Sequence, residues 1–265
     1  MIARAWLALA LLAWSAAASA RPLRPRFEPD DMELERPGVI EANLQFGFIQ
    51  SRGPYRLVMP DVELDFGALP NLEIDLDWTY ALEQPFDHSA GDNIWLSAKV
   101  GLLDVPDGAD RSWALGVQVG PRFGAAPGAR GIGFEALALV ARRRGRLHVV
   151  LTSGVLVDPA LNDAYRPVAL EAGVDLTIDL DRRAVWSLVG DAAAVYFASI
   201  DPNQIALSAG AAWTPRPWLS VSLTALCGFL DGGDVWGVLV GYSQKFASAA
   251  STVRKRTHIT NIDTH

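Results

Sequence analysis

The chain lacks most of what an exported enzyme or a metalloprotein needs. Cys227 is the single cysteine in 265 residues, so no intrachain disulfide framework is available. Only four histidines occur, with no Cys/His pairs at ligand spacing and no cofactor motif, so neither a metal nor a cofactor is expected. Basic residues are in the minority, 23 Lys+Arg against 30 Asp+Glu for a formal net charge of −7. That sign disfavours a nucleic-acid partner. Past the extreme N-terminus there is no apolar run of 18 residues or more, which argues against a helical membrane protein.

What is present begins with residues 1–20, MIARAWLALALLAWSAAASA. Arg4 supplies a positive start, Ala5 to Trp14 an apolar core, and Ala18-Ser19-Ala20 a small-residue cleavage site. This reads as a secretory signal peptide cut after Ala20, and the mature chain is expected to be exported. Residues 21–37, RPLRPRFEPDDMELERP, are Pro-rich and charged and read as an extended periplasmic leader. Residues 247–265 are polar, carry Arg254-Lys255-Arg256, and read as a disordered periplasmic tail.

Between these, residues 38–246 fall into about twelve segments of roughly ten alternating residues, each bounded by turn signals. The clearest pair is Val62 to Tyr80. Val62, Leu64 and Phe66 alternate with Glu63 and Asp65; after a Gly/Pro/Asn turn, Leu72, Ile74, Leu76, Trp78 and Tyr80 alternate with Glu73, Asp75, Asp77 and Thr79. This is a β-hairpin with one apolar and one acidic face. Connections alternate between short turns and longer loops, the layout of an outer-membrane barrel.

A soluble β domain would turn its apolar face inward and solvate the other. Here the other face is often too small for that, as with Ala206, Ser208, Gly210 and Ala212, or Ser220, Ser222 and Thr224. Aromatics cluster toward both strand ends. Trp78, Tyr80, Tyr196, Phe197, Phe229 and Trp236 mark the long-loop side, and Trp113, Trp186, Trp213, Trp218 and Phe246 the other. Two aromatic bands flanking an apolar belt fit bilayer interfaces. The last segment closes on Phe246, like the terminal signal read by the barrel-assembly machinery. The expected fold is all-β, a transmembrane antiparallel up-and-down β-barrel of about twelve strands in a bacterial outer membrane. Its expected partners are outer-membrane lipid, the assembly machinery and a small solute.

The pattern of Met59–Tyr80 resembles the outer-membrane barrels associated with the meta-pathway of phenol degradation. So do Lys99-Val100-Gly101, Gly116 to Gly120, Glu171-Ala172-Gly173 and Gly237 to Phe246. The resemblance spans roughly residues 38–246, is one of pattern, and transfers no site residue. It implies an outer-membrane transporter.

With the apolar face on lipid, Glu63, Asp65, Glu73, Asp75, Asp77, Glu135, Glu171, Asp175, Asp179 and Asp191 line the lumen. Lys99, Arg122, His148 and Lys245 oppose them. An acidic lumen concentrates cations, and twelve strands predict a narrow or partly plugged passage. The candidate permeation residues are Glu63, Asp65, Glu73, Asp75, Asp77, Lys99, Glu171 and Asp175. If Phe66 pairs with Leu72, Asp65 faces Glu73 and Glu63 faces Asp75, so a cation is required. Lys99 is the first candidate, and Arg56 the second if a bulge near Pro60 shifts its parity.

An enzyme would need a nucleophile beside a base. His148 and Ser153 are five residues apart and point to opposite faces, so no catalytic residue is expected. The Asp87–Asp92 loop has the oxygens for a divalent cation but reads as a solvated loop, and the Arg142–Arg146 turn reads as a rim anchor near periplasmic headgroups. The function expected is passive diffusion of a small solute, with a cation preference. A sealed structural barrel and a membrane-embedded lipid-modifying enzyme are the alternatives.

Overall fold

A strand with one apolar and one polar face needs two environments, and a closed antiparallel barrel in lipid supplies both. The computed structural model describes residues 34–51, 55–85, 88–89, 93–106, 111–125, 129–159, 168–198, 203–230 and 234–247. The expected signal peptide, most of the leader, the tail after Ala247 and most of the Asp87–Asp92 loop lie outside them.

Twelve long strands form the barrel. They are β1 (Val39–Ser51), β2 (Tyr55–Leu69), β3 (Leu72–Glu83), β5 (Ile94–Pro106), β6 (Arg111–Phe123) and β7 (Ile132–Arg144), then β8 (Leu147–Val157), β9 (Val168–Asp179), β10 (Trp186–Phe197), β11 (Gln204–Arg216), β12 (Leu219–Gly228) and β13 (Asp234–Ala247). A two-residue strand, β4 (His88–Ser89), pairs only with the far end of β3. Every long strand is antiparallel to its neighbours, and β13 pairs with β1 along its whole length to close the ring. Among the described residues each long strand thus has a long partner strand on both sides, the closure that a spanning structure requires.

The alternation resolves as expected. Leu64, Phe66, Leu115, Phe134, Leu151, Leu170, Leu188, Leu223 and Val240 are exposed on the outside. Glu63, Asp65, Glu73, Lys99, Gln118, Thr177, Ser220 and Ser243 are buried on the inside. Trp113, Trp186 and Trp213 near one rim, and Tyr196, Phe229 and Trp236 near the other, are exposed among the apolar side chains. Two apolar clusters also lie inside: Trp95, Leu137, Leu139 and Val150, and across the ring Ile49, Val58, Leu226 and Leu239. The lumen is therefore partly filled by packed side chains, as a barrel of this size allows.

Bulges and turns set two local features. In the opening hairpin Phe66 pairs with Ile74, Asp65 with Asp75, Glu63 with Asp77 and Gly67 with Glu73. The register is thus shifted by two residues from the one expected, because a bulge between Gly67 and Leu69 lets Leu69 pair with Leu72 around a tighter turn. Strand β10 begins at Trp186, after Ala184 turns the chain with φ 50°. Glycine is required where backbones meet inside the wall: a Cβ on Gly120 would lie 1.9 Å from the Leu96 carbonyl oxygen.

Candidate functional site: the acidic wall of the lumen

Alternation puts every second residue of β2 and β3 inside, and toward the short turn these include the acids Glu63, Asp65, Glu73, Asp75 and Asp77. Pairing then sets Asp65 opposite Asp75 and Glu63 opposite Asp77, an arrangement that destabilises a sheet unless donors intervene. The neighbouring strands bring them. Asn43 on β1 donates through Nδ2 to Glu63 Oε2 and to Asp65 Oδ2, each at 3.1 Å. On the other flank β5 pairs Lys99 with Glu73 and Ser97 with Asp75. Lys99 Nζ lies 2.9 Å from Glu73 Oε1 and 4.0 Å from Asp75 Oδ2. Gln118 on β6 donates to Asp75 Oδ2 at 3.1 Å and to Ser97 Oγ at 2.9 Å.

Burial makes this network consequential. Lys99 and Glu73 are both 0% exposed, and Asp65 and Asp75 are 2% exposed. A buried charge is tolerated only when it is paired and hydrogen-bonded. Lys99 is the compensating cation, on the strand and with the parity that alternation assigns it. Arg56 is not part of this cluster. Bulges in β1 and β2 do turn it toward Val58's buried face, but it pairs with Asp234 at the long-loop end.

The chain ahead of β1 completes the wall. Leu34 to Gly38 lie inside the short-turn mouth. The Glu35 amide donates to Glu73 Oε2, and the Glu35 carboxylate meets Lys245, which also lies 3.0 Å from Glu41. Gly38 N donates to Gly67 O at 2.8 Å. The fit depends on two inward glycines. A Cβ on Gly67 would stand 2.2 Å from the Arg36 carbonyl oxygen, and one on Gly101 would stand 2.8 Å from Leu34 Cδ1. The end of the expected leader thus forms a strap from β5 to β13. Sequence reasoning does not reach it, because Leu34–Pro37 has no periodicity to place it.

The remaining inward acids lie elsewhere. Glu171 and Asp175 are on β9, five strands around the ring from β3, and Asp175 faces Asp191 of β10. These two candidate permeation residues are therefore separated from the other six, across the lumen. Arg122 pairs with Glu135, and its Nε lies 2.9 Å from Asp158 Oδ1, in a separate cluster near the long-loop end. Trp95, opposite Arg122, is a lumen residue absent from the expected set. Its odd-numbered position beside Ser97 and Lys99 is the signal that could have found it.

The chemistry open to these groups is electrostatic. Asp65, Glu73 and Asp75 offer carboxylate oxygens within 4.8 Å of one another, so they are the residues among those described that would meet a cation. The Lys99 ammonium already stands beside two of them. For nucleophilic catalysis the order of groups is wrong. Asp179 lies between Ser187, which donates to it at 2.9 Å, and His148, whose Nε2 is 3.7 Å away. A triad needs the histidine between serine and acid. Ser153 is exposed on the lipid face and His148 is not.

No family model matches the sequence, and no curated protein does. Solved structures of similar architecture exist at low identity. A loop-deletion variant of OmpT, an outer membrane protein of Vibrio cholerae, is 10% identical over 78% of this chain and 97% of its own, with a TM-score of 0.42. The translocator domain of the autotransporter NalP from Neisseria meningitidis is 13% identical over 78% and 87%, with a TM-score of 0.39. The CymD monoaromatic hydrocarbon channel is 11% identical over 80% and 89%, with a TM-score of 0.40. The architecture of this chain rests on its own closed strand ladder and not on these likenesses.

Proposed function

We propose that the chain is an outer-membrane channel for the passive diffusion of a small solute, cation-preferring and stoppered at its periplasmic mouth by its own residues 34–38. The observation that supports this is the buried acidic wall of β2 and β3. A barrel that only had to stand in the membrane would be at least as stable with an apolar filling, since buried ion pairs are replaceable by packed hydrocarbon without loss. An exterior of exposed Leu, Val, Phe and Trp side chains supports the outer-membrane location, reached by way of the expected signal peptide. Similarity of pattern to the barrels associated with the meta-pathway of phenol degradation makes small aromatic solutes the first to try.

The test is single-channel recording in planar bilayers. The full chain is expected to show small or intermittent conductance, and a chain with Leu34–Pro37 replaced by a Gly/Ser linker a larger one. Cation preference is expected to fall when Glu73, Asp75 and Asp77 are changed together to Gln, Asn and Asn. An anion-selective pore would overturn the charge assignment. A second reading, a sealed structural barrel, is favoured by the complete enclosure of Lys99 and Glu73, and silence in both chains would establish it.

A further inference from the structure

The turn between β7 and β8 carries four arginines, Arg142, Arg143, Arg144 and Arg146, and the channel reading uses none of them. Strand parity divides them. Arg143 follows Leu139 and Ala141 on the inward face, opposite His148, whereas Arg142 and Arg144 follow Phe134 and Val140 on the lipid-facing side. Trp113 of β6 is the register partner of Arg142 and is exposed on the same outer face. The Arg142 guanidinium lies over the Trp113 ring, 4.1 Å from its centroid. Stacking of this kind uses the flat face of the guanidinium and leaves its N–H edge free to donate.

Among the described residues no carboxylate forms an ion pair with Arg142 or Arg144. In the ladder Trp113 and Val149 flank Arg142, and Arg111 and Leu147 flank Arg144. Leu115 and Leu151 are exposed one pair further into the apolar belt, and three strands away Trp186 and Trp213 stack on each other at the same rim. Two outward guanidinium groups two positions apart on one strand, at the height of the aromatic band, stand where the hydrocarbon of a bilayer gives way to its phosphates. We infer that Arg142, Arg144 and Trp113 form a binding site for an anionic phospholipid of the periplasmic leaflet, with the two arginines donating to one headgroup phosphate. A phosphate accepts paired N–H bonds in the geometry that guanidinium offers. That no carboxylate among the described residues pairs with them favours a headgroup with net negative charge over a zwitterionic one. This inference stands apart from the channel reading, since it concerns only the outer face.

The experiment is native mass spectrometry of the full chain, purified in detergent and titrated with phosphatidylglycerol or phosphatidylcholine of the same acyl chains. The intact barrel is expected to retain phosphatidylglycerol preferentially, and the R142A/R144A variant to lose affinity by roughly 25-fold, about fivefold for each arginine. R216A, at a different turn, is the control that retains the lipid. R142K/R144K keeps both charges without the planar fork and is expected to fall between. It also serves if the alanine variant does not fold. Equal retention of both lipids by the intact barrel, an unchanged R142A/R144A variant, or full displacement by millimolar inorganic phosphate would each overturn the assignment.

Discussion

Two parts of the inner wall follow the same alternation with opposite chemistry. On β2, β3 and β5 the inward positions hold Glu63, Asp65, Glu73, Asp75 and Lys99; on β11 and β12 they hold Ser208, Gly210, Ala212, Thr214, Ser220, Ser222 and Thr224. In the first part each side chain depends on its neighbours. Lys99 answers two carboxylates, Gln118 holds one of the same two, Asn43 holds two others, and the strap returns a backbone N–H to Glu73. In the second the side chains are small and uncharged, and one of their contacts is local, where Thr214 donates to Ser220 Oγ at 3.2 Å. Period-2 patterning decides which face is inward. The size and charge of the inward residues decide whether that face is a coupled network or a row of independent small groups.

The contrast predicts a graded series of effects. Lys99→Met should be the most damaging, because it leaves Glu73 and Asp75 buried without their cation, at a cost of about 3–5 kcal/mol. Denaturant unfolding of the detergent-folded barrel measures it, and adding Glu73→Gln should recover part of the loss. No recovery would show that the pair is not coupled. Gly67→Ala should cost about 1–3 kcal/mol through overpacking and expel the strap, seen as faster proteolysis between Leu34 and Gly38. Protection equal to the parent would mean that the strap does not rest on Gly67.

On the other wall, Ser220→Ala should cost about 0.5–1.5 kcal/mol, one hydrogen bond's worth. A loss as large as that for Lys99→Met would erase the distinction between the two regions. The smallest effect is expected outside the membrane, at Asp181 in the turn between β9 and β10. Backbone N–H bonds from Trp186, then Arg183 and Val185, hold its carboxyl below the ordinary carboxylate range despite opposing desolvation, with Arg146 nearby adding to the effect. Because the folded value is depressed, this contribution is present above the ordinary carboxylate pKa and is lost as pH falls through the folded value. Asp181→Asn should flatten the acid limb of the stability profile slightly, and an unchanged profile would rule the turn out as a contributor.

Much of the acidic wall is legible in consecutive residues. Strand parity places Glu63, Asp65, Glu73, Asp75 and Asp77 on one face, names Lys99 as their cation, and separates His148 from Ser153. The hairpin register expected from alternation differs from the observed one by two residues. A bulge at Gly67–Leu69 is invisible to alternation, which an even shift leaves unchanged. Arg56 takes the face that a bulge gives it, but its partner is not legible, since Asp234 is distant in sequence and adjacent only after closure. Trp95 escapes notice because an aromatic in a strand carries no sign of which side it faces unless its neighbours are counted.

By itself, then, the sequence determined the number of strands, their two faces and the acidity of the lumen, because a period of two is a local property written in consecutive residues. The tertiary structure alone decided what those acids meet. Ring closure brings β13 against β1 and sets Lys245 near the mouth where Glu35 enters, and the glycine gaps at Gly67 and Gly101 admit the strap. Such contacts join residues as far apart as Glu35 and Lys245, and no local pattern can encode them.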